Sequence, residues 1–372
     1  KNADELDAQK GLCFYEINGT PWRMMRTAFA GDDEKLAENI DKVVAQYKYA
    51  KSSLRIVGNP ESLLVRNIND IPRIDERFIR KTYEEKGEIN LYLGKYNLSE
   101  TEVSYSINED NTMLAIIGDY VKSKQIVTSV LCGLLRTFNS VGCIEKRVFV
   151  VDLCKKRRLL QLSSPLTELL MKQRELEDDG VDGTAFSVLA YYEAEKFDEM
   201  IEAVYDIYEQ RKDDTSMKLE PVEIIILNAE NIEMNRTMET LKKVLYDSLA
   251  RGLDIYFTFQ FESLECSFVK SVLIGPSYAS DSKVPLKDLI LLSSETDSDA
   301  GDLEMSAVFK TLSQRIGGKI ADEYVKYFER KSLPSCQSFI VDDYKVSKFR
   351  HYQFVDNWVD SFAKELVDNK NG

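Results

Sequence analysis

Between residues 113 and 260 the chain alternates short apolar runs with stretches whose apolar residues recur every three or four positions. Met113-Leu-Ala-Ile-Ile117 has strand length and breaks at Gly118. From Ile126 the spacing of Val127, Val130, Leu131, Leu134, Leu135 and Phe138 predicts one face of a helix. Arg147–Asp152 is a second apolar strand, ending in an acid. A polar, acidic stretch over Glu175–Gly183 precedes a helix over Lys196–Lys212, with Phe197, Ile201, Val204 and Tyr208 on one side. Val222–Leu227 is the most apolar strand and ends in Asn228-Ala229-Glu230-Asn231. A helix over Asn235–Ala250 leads to a strand from Leu253 to Thr258, ending at Phe259-Gln260. Continuously apolar strands alternating with helices predict an α/β fold, a mostly parallel sheet with helices on both faces. Leu286–Leu292 is expected as a strand inside the Ser- and Asp-rich segment 277–302. A helix over Ala307–Arg330, with Gly317-Gly318 as its break point, follows.

The two ends of the chain carry a related pattern. Cys13–Phe29 lies over Ser338–Phe354 without a gap at an offset of 325, matching Phe14 to Phe339, Arg23 to Lys348, Met24 to Phe349 and Phe29 to Phe354. Each copy predicts a strand, a tight turn (Asn18-Gly19; Asp342-Asp343), a second strand and a helix, over Asp33–Ala50 and Asp356–Asp368. Such a repeat suits a chain that opens on the tail of one module and closes on the tail of the next. The expected organisation is a hairpin-plus-helix tail over 1–50, lead-in strands over 51–110, a core over 111–335, and a closing hairpin with C-terminal helix over 336–372. The lead-in strands are Leu54–Val57, Ile89–Leu93 and Glu102–Ile107.

Composition narrows the function. The 372 residues, 44% hydrophobic and 30% charged, are those of a globular chain with ample core. No apolar run has the length to span a bilayer, so membrane attachment is expected only through segments outside this sequence. Net charge is −14, from 49 basic and 63 acidic residues. That balance disfavours nucleic acid, whose binding rests on many phosphate contacts; Lys155-Lys-Arg-Arg158 is the one dense basic run. Six cysteines without paired C-x-x-C spacing and a single histidine, His351, offer no structural zinc site. Cys13, Cys132, Cys143 and Cys154 have apolar neighbours and read as reduced core cysteines. His351 sits in an alternating strand and reads as structural. The aromatic pairs Tyr191-Tyr192 and Tyr205/Tyr208 read as core.

Strand, glycine, short loop, lysine, helix is the layout of a phosphate-binding loop, G-x-x-x-x-G-K-[ST]. The candidate site residues are therefore Gly118, Asp119, Tyr120, Val121, Lys122, Ser123, Lys124 and Gln125, with Asn228, Thr258 and Gln260 from the later strands. Gly118 and Lys124 match the pattern. Ser123 replaces the second glycine, and Gln125 replaces the hydroxyl that binds Mg²⁺. The strand that should end in acids ends instead in Asn228-Ala229. Asn228 lacks the charge to hold a metal shell and Ala229 cannot activate water. ATP is the expected ligand, held weakly or statically; the site lacks the side chains for Mg²⁺, and no residue is expected to be catalytic.

The order of these strands follows that of RecA-like motor domains, and their local texture resembles the FtsK/SpoIIIE family of P-loop ATPases. The small-residue turn Leu249-Ala-Arg-Gly-Leu-Asp-Ile255, the Thr258-Phe259-Gln260 strand end, Phe149-Val-Val-Asp152 and Tyr92-Leu-Gly-Lys95 carry the resemblance. The tandem-module members, the EssC/EccC motor ATPases of type VII secretion, resemble it most. The resemblance implies a RecA-like fold and a module on the cytoplasmic side of the membrane. As partners it implies other ATPase modules of the same polypeptide and a secreted protein substrate or secretion-machine component, in a homo-hexameric assembly. Two alternatives stand beside it: an active FtsK-like DNA translocase using Glu230 or Asp152 as its acid, and an interaction scaffold that binds no nucleotide.

Overall fold

The computed structural model describes residues 12–15, 23–26, 62–96, 101–109, 112–118, 120–143, 145–154, 164–178, 185–213, 220–262, 266–268, 288–292, 337–342, 345–355 and 358–368. The helices expected over Asp33–Ala50 and Ala307–Arg330, the Asn18-Gly19 turn, the strand Leu54–Val57 and the basic run Lys155–Arg158 lie outside these residues. The chain divides into two compact units, Lys1–Glu61 and Ser62–Gly372. In the first, Leu12–Tyr15 (β1) pairs antiparallel with Arg23–Arg26 (β2).

The second unit holds one eleven-stranded sheet. Its strands are Leu63–Val65 (β3), Ile89–Tyr96 (β4), Glu102–Ile107 (β5), Met113–Ile117 (β6), Val148–Asp152 (β7), Leu189–Glu193 (β8), Val222–Leu227 (β9), Ile255–Phe261 (β10), Asp288–Leu292 (β11), Gln337–Asp342 (β12) and Lys345–Phe354 (β13). The order is β5-β4-β13-β12-β11-β6-β10-β9-β7-β8, with β3 beside β13. The six strands from β11 to β8 run parallel. The closing hairpin joins them antiparallel through β12, and β4 and β5 extend the sheet beyond β13. Thus the 89–107 strands share one sheet with the core and the closing hairpin.

Alternation along buried strands sorts side chains onto two faces. Leu114, Ile116, Val148, Val150, Ile225, Leu227 and Tyr256 join one core cluster. Met113, Ala115, Ile117, Phe149, Val151, Ile224, Ile226, Phe257 and Phe259 join the other. Tyr120–Ser140 (α2) packs Ile126, Val127, Val130, Leu131, Leu134, Leu135 and Phe138 into the first cluster, as the spacing predicts. Phe197–Lys212 (α4) and Arg236–Arg251 (α5) cover the other face through Met200, Ile201, Val204, Leu241, Val244 and Leu245. Burial on both faces is why these strands read as unbroken apolar runs.

Three elements do not follow from the apolar pattern. Glu76–Lys86 (α1) forms where the pattern loosens: the Asp75 side chain accepts the Arg77 and Phe78 N–H groups, and Gly87, at φ 67°, caps the other end. Pro165–Asp178 (α3) reaches into the acidic stretch, and β8 holds the sheet edge, where Tyr191 and Tyr192 are half-buried, each packed against the margin of one core cluster. Of the cysteines expected inside, Cys132 is buried, whereas Cys143 and Cys154 are half-exposed, near strand and helix ends. His351 is fully buried, its Nδ1 2.8 Å from the Ser338 hydroxyl.

The end-to-end repeat forms a hairpin in both copies, but with different pairing. Leu12 faces Arg26, so an offset of 325 would set Gln337 against His351; Gln337 instead faces Arg350. A one-residue slip exchanges the faces of one strand relative to the other. The gapless overlay of the sequences therefore does not extend to their pairing. Trp358–Asp368 (α6) follows the second hairpin and buries Trp358, Phe362 and Leu366.

Candidate functional site

The carboxyl ends of parallel strands are where α/β sheets place their sites, and β6, β7, β9 and β10 end together here. β10 lies between β6 and β9, and β9 lies between β10 and β7. Alternation aims Asp152 and Gln260 at the face covered by α2, while Asn228 follows directly on β9.

The phosphate loop that the spacing predicts does not form. α2 already runs from Tyr120, so the segment from Tyr120 to Gln125 is helical and not loop. A helix confines its unpaired N–H groups to its first turn, and Lys124 stands beyond it. Gly118 keeps a backbone that favours glycine, φ 136°, and its N–H donates to the Phe261 carbonyl at 2.9 Å. The first helical N–H, of Tyr120, donates to the Glu262 carboxylate at 3.3 Å. The chain's own anion thus sits where a bound anion would be favoured. Asp119 and the side chain of Val121 lie outside the described residues.

The remaining candidates meet in a closed network. The Tyr120 hydroxyl donates to Asp152 Oδ2. Asp152 Oδ1 accepts the Asn228 side-chain amide at 2.7 Å and the Cys154 N–H at 3.0 Å. The Asn228 N–H donates to Gln260 Oε1 at 2.8 Å, and Gln260 Nε2 donates to the Gly118 carbonyl at 3.5 Å. Lys124 Nζ stands 4.1 Å from the centre of the Tyr120 ring, a cation–π contact. Tyr120, Lys124, Asp152, Asn228 and Gln260 are each 4% exposed or less, so this network is shut off from bulk solvent. Asn228 adopts a left-handed backbone, φ 53°, which asparagine tolerates better than most residues.

Charge in this space is finely matched. Burial pushes the Asp152 carboxyl up, opposed by the Tyr120 hydroxyl, the Cys154 N–H, the Asn228 amide and the Lys124 ammonium. Burial and the Asp152 charge hold the Tyr120 phenol above its ordinary value. Glu230 follows in the short turn Ala229–Asn231, its carboxylate accepting the Glu262 N–H at 3.3 Å. Burial, with Glu262 and Asp152 nearby, pushes its carboxyl up to about 7, against the pull of backbone N–H groups.

Other candidates are directed elsewhere. The Gln125 side chain, in the magnesium-ligand position, accepts the Phe354 N–H at 2.8 Å and so ties α2 to the closing strand. Ser123 is buried and Lys122 half-buried in the first turns of α2. Thr258 faces Glu223, which lies further back in the sheet, and donates to it at 2.6 Å; only Gln260 of the strand end reaches the cleft. Sequence reasoning missed Glu262, which has no motif to mark it, and missed Tyr120 as the partner of Asp152. Among the described residues no group of three or more His, Cys, Asp or Glu is placed to hold a metal.

The order β11-β6-β10-β9-β7 is that of a parallel sheet with helices on both faces, an α/β fold. No protein-family profile and no curated protein matches the chain. Among solved structures the chain is similar to Thermomonospora curvata EccC (ATPases 2 and 3) in complex with a signal sequence peptide, with 11% identity over 90% of this chain and 52% of that one, and a TM-score of 0.47. It is similar to EssC (ATPases 2 and 3) from Geobacillus thermodenitrificans, with 14% identity over 76% of this chain and 49% of that one, TM-score 0.47. It is also similar to the pCW3 conjugation coupling protein TcpA with ATPγS, with 12% identity over 81% and 75%, TM-score 0.45. The chain spans about half the length of the EccC and EssC structures.

Proposed function

We propose that this chain is a non-hydrolysing module of an FtsK/SpoIIIE-type motor, of the kind strung along one polypeptide in type VII secretion ATPases. The observation that carries the inactivity is the end of β9. There Asn228 gives its amide to Asp152, Ala229 follows, and the side chain in the magnesium position, Gln125, is engaged with Phe354. Hydrolysis needs a metal shell and an acid that orients water, and these residues supply neither. ATP is held no more than weakly, without turnover. The module acts through contacts with neighbouring modules of its polypeptide and with a secreted protein or another component of the machine, in a hexameric assembly. It stands on the cytoplasmic side of a membrane reached by segments outside this sequence; among the described residues no helix is long and apolar enough to cross one. The net charge of −14 weighs against a nucleic-acid track.

One observation favours activity: Glu230, beside Ala229, has a carboxyl in the range of a general base at neutral pH. Steady-state phosphate release separates the two. The non-hydrolysing module shows only background release, unchanged in Lys124→Ala and Glu230→Gln. Release that both substitutions abolish would establish an active ATPase.

A further inference from the structure

The cleft at the strand ends contains a buried cation and a buried anion with an aromatic ring between them. Lys124 lies over one side of the Tyr120 ring and Asp152 takes its hydroxyl. We propose that Tyr120 is an intramolecular closure: its phenol fills the space in which a polyphosphate would have to lie against Lys124, and the cleft holds one more tightly than the millimolar range only when that side chain is gone. This builds on the non-hydrolysing reading above and names what keeps the site shut.

Four observations converge on it. Tyr120 is 1% exposed although it opens a helix next to a strand end, a place where side chains ordinarily meet solvent. Its phenol reaches Asp152 at the end of β7, three places from β6 in the order β6-β10-β9-β7, so the side chain ties the start of α2 to the far side of these strand ends. Its own N–H is taken by Glu262, which adds a negative charge at the entry. Asn228 and Gln260 complete a circuit back to Gly118, so the strand ends on both sides of the ring are tied to one another. Phosphate groups need cationic and N–H donors facing an open space. Here the ammonium faces a ring and the N–H faces a carboxylate. A buried aromatic side chain removes a large area from solvent, and its loss leaves a void bordered by the Lys124 ammonium.

The test is calorimetric titration with inorganic pyrophosphate, which probes the site without base or sugar contacts. The wild-type protein shows no saturable binding below the millimolar range. Tyr120→Ala binds at least tenfold more tightly, Tyr120→Phe behaves as wild type because the ring remains, and Lys124→Met in the Tyr120→Ala background removes the gain. A folded Tyr120→Ala protein that binds no better than wild type overturns the closure, with Lys124 and Asp152 collapsing onto each other instead. If Tyr120→Ala does not fold, Tyr120→Leu replaces it with the same outcomes. Saturable submillimolar binding by the wild type overturns the closure whatever the variants do, while leaving the absence of hydrolysis intact. Lys124-dependent phosphate release by the wild type refutes the non-hydrolysing reading itself.

Discussion

Glu223 is a carboxylic acid in the middle of the most apolar strand, and its replacement by glutamine has a pH signature that can be worked out. It is 2% exposed; one oxygen accepts the Thr258 hydroxyl at 2.6 Å, and the other, Oε2, has no hydrogen-bond partner among the described residues. Burial pushes its carboxyl from 4.5 up to about 8, the Thr258 hydroxyl pulling the other way. Between these values the folded protein holds a proton that the unfolded chain has released. The folded state therefore binds more protons, and stability falls as pH rises through that window. At about 1.4 kcal/mol per unit, the loss between pH 5 and pH 8 is roughly 3 kcal/mol. Glu223→Gln retains an acceptor for Thr258 and has nothing to titrate. Urea unfolding of both proteins at pH 5, 6, 7 and 8 isolates this group, because every other titration cancels in the difference. Expected is a variant whose stability advantage grows by about 3 kcal/mol across the series. Parallel profiles, with the difference constant to about 0.5 kcal/mol, would refute the assignment of a buried, protonated Glu223.

The remaining predictions concern other parts of the fold. At Gly94, φ 156°, an added Cβ would lie 1.9 Å from the Arg350 carbonyl oxygen; Gly94→Ala must part β4 from β13 and should cost about 3 kcal/mol or more in urea unfolding. Glu365, with a side chain 4% exposed, bridges Arg136 at 2.9 Å and Arg73 at 3.0 Å. Glu365→Gln takes the carboxylate from the largely buried Arg136 guanidinium, leaving it the Ile68 and Pro72 carbonyls, and should cost about 3 kcal/mol, whereas Arg73→Gln, at a half-exposed side chain, should cost under about 1 kcal/mol. Burial, with Lys122 adding to it, holds His351 down at about 4, from 6.5. Its folded form stays neutral while the unfolded chain protonates, so stability drops as pH falls from 6.5 towards 4, by about 1.4 kcal/mol per unit. His351→Gln, followed by thermal unfolding over that range, should flatten the slope.

Much of the architecture was legible because parallel strands covered on both faces have to be apolar throughout. Val222–Leu227 and Arg147–Asp152 announced themselves in that way, as did the stripe from Ile126 to Phe138 on α2. β8 stayed hidden because an edge strand with half-exposed tyrosines lacks such a run, and α1 because its evidence lies in its caps rather than its face. The repeat shows the reverse case: matching residues in both hairpins, yet a pairing register that differs by one. Register belongs to the backbone ladder and the turn that starts it, which residue matching does not see.

Sequence alone determined the chemistry available at the strand ends: a lysine, a glutamine where a hydroxyl is needed, and Asn228-Ala229 where acids are needed. Those are statements about side-chain identity, and no fold can add a missing carboxylate at those positions. Only the tertiary structure decided what the surviving groups do. Whether Tyr120 is loop or helix depends on how far α2 extends towards Gly118 once its apolar face is packed on the sheet. Once it is helical, its phenol reaches Asp152, a residue 32 positions away that arrives two strands past the neighbour of β6. That meeting of distant residues, set by strand order and alternation, turns a sequence that reads as a phosphate loop into a cleft closed by its own tyrosine.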